Sequence, residues 1–422
     1  MRCRQCILTD QVPGSDFDST GLCTWCRTGY PNYQPRGIAA LDSCIRKKLR
    51  PDAKVDCVVG ISGGKDSSFV LWAMKKHFGL RVHAFTYDHD GVEPLARENM
   101  KRLCDSLDVP LAVESLGPGV HIQSFRDYFS AWLDHPTAVS AGMTCVACKH
   151  LHLFGNKLAR ELNAPFVAWG KCPLEDSPFL ALKYDTEKKG REGLVRGGVL
   201  LTREVASSPQ LVGSIVRNFS LTLQGCLAVS PDSPFIKWRF PTVEQLFFFD
   251  YWPWNPKEIV STITRETGWR RPTNRPTDWH SDCIIDVFKE YVFQRMLGVS
   301  YTDGFLSNQL RAGILTREEA WEQLLRSKEY FANAMPAALE RVGLAHLAGR
   351  IDPSCFRIGM IRHRFRRASR AAERLCRSPT GRRDSGAVSQ DMEGCGPHCR
   401  ILPACSCPTV IERSRCCSQR HC

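Results

Sequence analysis

This chain of 422 residues has no apolar run approaching the twenty or so residues that a membrane-spanning helix needs. Its densest aromatic cluster, Leu246-Phe-Phe-Phe249, is closed by Asp250. The opening segment, Met1-Arg-Cys-Arg-Gln-Cys6, lacks the apolar core of a secretory leader. We therefore expect a cytoplasmic protein without a membrane partner. A broadly basic surface is missing too. The net charge is +13, but residues 361–422 hold thirteen arginines against five acidic residues, leaving +5 for everything before them. That balance argues against nucleic acid as a partner. Disulfides are not expected either. Twenty-one cysteines in a chain this long, without a leader, read as thiols and metal ligands.

A Walker A loop is also absent. Gly60 stands one residue too close to Gly64-Lys65, and Asp66 occupies the place of the Ser or Thr. What stands there is Val55-Asp-Cys-Val-Val-Gly-Ile61, then Ser62-Gly-Gly-Lys-Asp-Ser67, then Phe69-Val-Leu-Trp-Ala-Met74. This is a β-branched strand, a small-residue turn and a helix start. Gly63 and Gly64 let backbone N–H groups approach an anion, and the helix end adds partial positive charge. Ser62 and Ser67 offer hydroxyls, and Lys65 a full charge. Asp66 can cap the helix or help to hold Mg²⁺.

Two CxxC hooks, Cys3/Cys6 and Cys23/Cys26, form the ligand set of a four-thiolate zinc knuckle with no open coordination position. Tyr30 to Pro35 reads as a linker, so residues 1–35 form the first unit. Residues 36–240 form an α/β unit. Strands are expected at Val55–Ile61, Arg81–Tyr87, Val109–Val113 and Pro165–Trp169, with helices at Glu93–Leu107 and Lys149–Asn163. This pattern is a doubly wound parallel sheet, whose ligands sit at the strand C-terminal ends. Ser62–Ser67, Asp88 and Gly170 lie there; Asp88 serves equally well as a plain turn residue. Lys183–Gly198 reads as a charged loop. Residues 241–360 look mainly helical and suit an acceptor or partner region, with Thr316-Arg-Glu-Glu319 starting a helix. Residues 361–422, rich in Arg, Cys, Ser and Pro, lack periodicity and are expected to be a disordered tail.

The loop Ser62–Ser67 resembles the pyrophosphate loop of N-type ATP pyrophosphatases, whose fold is that of the adenine nucleotide alpha-hydrolases. More of the chain, roughly Met1 to Leu325, resembles the N-acetyl sugar amidotransferases. That resemblance rests on Cys3-x-x-Cys6, Phe17-Asp-x-x-Gly-x-Cys23-x-x-Cys26, Val59–Ser67, Cys145-x-x-Cys148 and Phe166–Gly170. It continues in Trp254-Asn-Pro256, Asp282 and Leu310-Arg-Ala-Gly-Ile-Leu-Thr-Arg-Glu-Glu-Ala320. The chain departs from the family at Lys171-Cys-Pro173, where Glu-Asn-Pro is usual, and around Val299–Asp303.

The resemblance implies an enzyme that converts the acetamido group of a bacterial surface sugar, as in lipopolysaccharide, into an acetamidino group. ATP is split to AMP and pyrophosphate, and ammonia comes from a separate glutaminase subunit. Ser62, Gly63, Gly64, Lys65, Asp66 and Ser67 would bind the ATP phosphates, with Lys65 and Asp66 serving catalysis, and Cys3, Cys6, Cys23 and Cys26 would bind zinc. The chain shows no glutaminase of its own, because Arg2 stands where an N-terminal nucleophile would need cysteine. The alternative is sulfur transfer to tRNA. Some thiolation enzymes share the loop, the zinc hooks and an internal CxxC. Cys145 and Cys148 offer a second metal site, and with Cys226 a three-thiolate site for an iron–sulfur cluster. The same two cysteines serve equally well as a redox-silent pair bracing the next helix.

Overall fold

In this computed structural model, five short runs form one all-parallel sheet. They are β1 (Cys57–Gly60), β2 (Val82–Tyr87), β3 (Leu111–Glu114), β4 (Phe166–Trp169) and β5 (Glu244–Phe247). Their order is β3-β2-β1-β4-β5. The structure describes residues 1–179, 183 and 190–356. All of these fall within one compact unit. The expected tail, 361–422, lies outside them.

Alternation along the strands explains why both sheet faces are covered. Cys57 and Val59 of β1, Ala84 of β2 and Ala168 of β4 enter one core with Phe69, Met100, Leu103 and Ile263. Those partners come from the helices Lys65–Trp72, Pro94–Leu107 and Pro256–Thr267. Val58, Phe85 and Val167 point the other way, to Ala159 and Ile236 on the helices His150–Glu161 and Pro234–Arg239. Buried, β-branched runs of this kind belong to a doubly wound sheet. The chain winds outward from β1 to β3, then restarts beside β1 with β4. The strand order therefore reverses between β1 and β4, the place where such sheets open a crevice at their C-terminal ends.

A third core joins the N-terminal segment to the late helices. Cys3, Leu8 and Val12 pack with Phe125, Phe288, Met335 and Leu339. The last three lie on Ile285–Leu297 and Arg317–Arg341. Thr316 caps the latter helix by accepting from the Glu319 N–H, and Glu319 answers at the Thr316 N–H, as its sequence signature indicates.

Two expectations are corrected. β5 lies in a stretch read as helical. It is four residues long, pairs only with β4, and runs directly into the Phe-Phe-Asp turn, so its aromatic run carries no period of two. Lys183–Gly198 was expected as a loop, but Gly190–Ser207 is helical. The glycines there and the exposed Val195, Val199 and Leu201 hide the core-facing period.

Candidate functional site

The loop after β1 is shaped from several sides. Gly63 has φ +78, and a Cβ there would lie 2.2 Å from the Ala96 carbonyl oxygen. No other residue fits this turn. The Trp269 indole N–H donates to the Gly63 carbonyl (2.9 Å). Ser62 N–H donates to Ser67 Oγ (3.1 Å), and the two hydroxyls are 3.2 Å apart. Gly170, at the end of β4, lies against the Ser67 backbone so closely that a Cβ would stand 3.0 Å from it. The helix Lys65–Trp72 then begins with Gly64 as its N-cap and no side chain on its first N–H groups. Those groups are available to an anion.

The loop opens on a cavity of about 400 Å³ at the C-terminal ends of β1, β2 and β4. Gly60, Ser62 and Ser67 form one wall. His280, Asp282 and Lys289 line it as well, with Asp282 close to Gly64. Lys289 Nζ also lies 3.6 Å from the centre of the Tyr301 ring. Burial lowers the His280 pKa well below the ordinary imidazole value, with Lys289, Lys65 and Arg275 adding to it, so the ring is neutral at pH 7. His280 Nε2 lies 4.0 Å from a carboxylate oxygen of Glu175. Burial pushes Glu175 up to about 7, with Asp66 adding and Lys65 opposing.

The sequence-derived site residues do not all meet there. Ser62, Ser67 and Asp282 line the cavity, and Gly63, Gly64 and Gly170 shape its wall. Lys65 turns instead to a second cavity, of about 350 Å³, which it lines with Trp254, Asp278 and Trp279. Asp66 caps no helix N–H. One of its oxygens accepts from Lys65 Nζ (2.5 Å) and the other from the Trp254 indole N–H (2.7 Å). Asp88 directly follows β2. Its carboxylate pairs with Arg97 (2.7 Å).

Thiols enter the first cavity as well. Cys145 and Cys148 line it, and Cys283 joins them. The Cys148 hydrogen bond draws the Cys145 thiol down to about 6 against the effect of burial, helped by Lys289 and Lys149. Cys226 is corrected as a third thiolate. It is exposed on the helix Phe219–Leu227, where its neighbour is the Met143 sulfur, 4.0 Å away. Cys283, His280, Glu175 and Lys289 were missed. They lie far along the chain from Ser62–Ser67, and no local spacing ties them to the loop. His89 and His121, which face the same thiols, were missed for the same reason.

At the front of the chain the four knuckle cysteines come together, their sulfurs all within 4.8 Å of one another. Cys3 and Cys26 are 3.7 Å apart, and Cys6 and Cys23 3.6 Å. Four thiolates at tetrahedral zinc stand about 3.8 Å apart, so the donor set and its spacing fit that ion. The late block seats this knuckle. Arg311 Nη1 reaches Cys26 Sγ (3.9 Å), and Arg317 donates to the Cys3 carbonyl (2.8 Å).

No protein-family profile and no curated protein matches the chain. Among solved structures, it is similar to the NMN synthetase of Francisella tularensis, at 12% identity and a TM-score of 0.31, over 69% of this chain and 88% of that one. A U34-tRNA thiolase, NcsA from Methanococcus maripaludis, solved with its 4Fe-4S cluster, aligns at 13% identity and a TM-score of 0.29, over 75% and 90%. The NH3-dependent NAD synthetase of Campylobacter jejuni, in complex with nitrate ion, aligns at 15% identity and a TM-score of 0.25, over 46% and 94%. No helix among the described residues is long and apolar enough to cross a membrane.

Proposed function

We propose that this chain is an AMP-forming, ATP-dependent enzyme that replaces the acetamido oxygen of an N-acetylated sugar with ammonia-derived nitrogen. The observation that carries the reading is the Ser62–Ser67 turn at a free helix N-terminus, opening on a cavity that Lys289 and neutral His280 also line. An amide carbonyl is a poor electrophile. Its oxygen attacks the α-phosphate of ATP, the bond to pyrophosphate breaks, and an O-adenylyl imidate results. Ammonia adds to that carbon, the bond to AMP breaks, and an acetamidino group remains.

The chain's own groups serve these steps by position. Backbone N–H groups at Gly64 and the helix start, with the Ser62 and Ser67 hydroxyls, would meet the growing charge on pyrophosphate. Mg²⁺ would find its carboxylate in Asp282, which lines the cavity facing Gly64, because both Asp66 oxygens are already engaged. It would supply charge neutralisation at the phosphates. Nitrogen must reach the imidate as ammonia. Neutral His280 lines the cavity and can accept a hydrogen bond from it, while burial and the nearby Lys289, Lys65 and Arg275 keep the ring from holding a proton. Zinc at Cys3, Cys6, Cys23 and Cys26 would be structural, since four thiolates leave no open position. Ammonia would come from a glutaminase partner.

One observation favours a second reading, sulfur transfer to tRNA: Cys145, Cys148 and Cys283 share the cavity with the loop. The two readings part on products. With ATP, ammonia and an N-acetylated nucleotide sugar, the first expects AMP, pyrophosphate and a more basic sugar about one mass unit lighter, its C=O replaced by C=NH. Release of ADP, or sulfur gained by tRNA with no sugar product, would overturn it.

A further inference from the structure

The cavity also holds a donor set of which the second reading uses only Cys148 and the first reading none. His89 follows β2, His121 opens the helix Val120–Asp134, and Cys148 lies in the turn before the helix His150–Glu161. One donor atom from each lies within 4.8 Å of the others. Cys148 Sγ is 3.7 Å from His121 Nε2. At tetrahedral zinc, with Zn–S of about 2.3 Å and Zn–N of about 2.0–2.1 Å, a sulfur and a nitrogen ligand stand about 3.5 Å apart. His121 has the companion contact that a metal-binding imidazole uses: its Nδ1 is 2.8 Å from the Tyr87 hydroxyl, which leaves Nε2 directed at Cys148. His89 and Cys148 both line the cavity that also contains Ser62 and Ser67.

We infer that His89, His121 and Cys148 bind a second, borderline divalent ion of the zinc class, distinct from the knuckle. Two imidazoles and one thiolate suit zinc rather than magnesium or calcium, which take oxygen ligands. Three protein ligands also leave a fourth position, which here faces the cavity, as in sites where zinc acts on a substrate or a water. The ring of His89 has to turn for this. It lies face to face with His121, at 4.0 Å between centres and 11° between planes, and its Nδ1 accepts from the Gly91 N–H (3.1 Å). Parallel rings cannot aim their lone pairs at one point, so His89 is the ligand that swings in.

The inference does not depend on which sugar is the acceptor, and its test is metal content rather than activity. Full-length protein is purified from zinc-supplemented cells and analysed for metal, alongside His89→Ala, Cys148→Ser and Cys145→Ser. His89→Ala and Cys148→Ser should each hold one equivalent of zinc fewer than wild type, and Cys145→Ser the same amount as wild type. Cobalt grown in place of zinc should give a thiolate-to-metal charge-transfer band whose intensity drops in Cys148→Ser. His89 is partly exposed, so His89→Ala should melt close to wild type and its zinc count stays readable. Wild type holding a single zinc, or His89→Ala holding as much as wild type, overturns the site. Iron with acid-labile sulfide that is lost in Cys145→Ser and retained in His89→Ala also overturns it, and assigns the thiols to a cluster.

Discussion

The Lys65 ammonium lies 2.5 Å from the carboxylate of Asp66, its own neighbour in the chain, and 5.1 Å from the centre of the Trp254 ring. Side chains of adjacent helical residues normally diverge. Here Lys65 is 4% exposed and Asp66 15%, so the loop's only full positive charge is already engaged. Burial pulls the Lys65 pKa down, yet Asp66, Glu175 and Asp278 outweigh it and the net shift is upward. The ammonium is therefore a fixed cation behind the loop, and the backbone N–H groups form its front.

From this pairing, Lys65→Met should cost about 3 kcal/mol of stability, because it strands a buried carboxylate. Lys65→Met with Asp66→Asn should recover most of that loss, read as urea midpoints. The folded double variant then isolates chemistry, and pyrophosphate release should fall by about 10²-fold. Additive losses would show that the two groups do not act as a pair.

Gly63→Ala should damage the loop more than any charge change. The new methyl group meets a backbone carbonyl rather than a yielding side chain. A left-handed φ adds about 1 kcal/mol of strain to the clash. We expect a lower melting temperature and no detectable pyrophosphate release, whereas Gly349→Ala, where a Cβ meets nothing within 4 Å, should leave release unaltered.

Glu175 predicts a pH dependence. Its carboxyl titrates at about 7 in the fold, from an ordinary value of 4.5. Between those values the unfolded chain has released a proton that the fold still keeps. Stability conferred by the fold therefore falls as pH rises from about 4.5 to about 7, by up to about 3 kcal/mol, and is level above. Glu175→Gln removes this component, so the difference between variant and wild-type unfolding free energies should widen across that window. Parallel profiles from pH 5.5 to 8 would refute the assignment.

The knuckle predicts a long-range effect. Cys3→Ser with Cys6→Ser should lose one zinc and lower stability, because structural zinc contributes directly to folding. The damage should spread to the start of Arg317–Arg341, since Ile7 packs with Leu306, Ala320 and Leu324. Hydrogen exchange of residues 310–325 checks it. Unchanged protection there would mean that the contact carries little energy.

The three inner strands β1, β2 and β4 were readable because each is largely buried on both faces and rich in Val, Ala and aromatics, and because glycines stand at the ends of β1 and β4. At the edge, β3 was readable only as a short apolar run. The knuckle was readable because its ligands come as two local hooks. Thr316–Glu319 announced its helix through a reciprocal cap. The rest depends on proximity that no spacing encodes. His89 and His121 are separated by β3, and Cys283 and His280 return to the cavity from a loop that reaches back to Val92. Cys226 shows the converse. Its position after the CxxC invited a third thiolate, yet its helix carries it to the surface while Cys283 fills the place. β5 was hidden because a short edge strand beside a Phe-rich turn looks the same as one turn of a buried helix.

The seating of the knuckle has a consequence for how the molecule is made. Arg317, which grips the Cys3 carbonyl, is 314 positions away, and Arg311, which reaches Cys26, is 285 positions away. The four thiols therefore leave the ribosome long before the surface that receives them. Contacts this distant in sequence form late, after the sheet that lies between them. During that interval the hooks are on their own. An ion that holds them closed shields the thiols while the receiving surface is still being synthesised, and it keeps the opening residues in the shape that their eventual neighbours require.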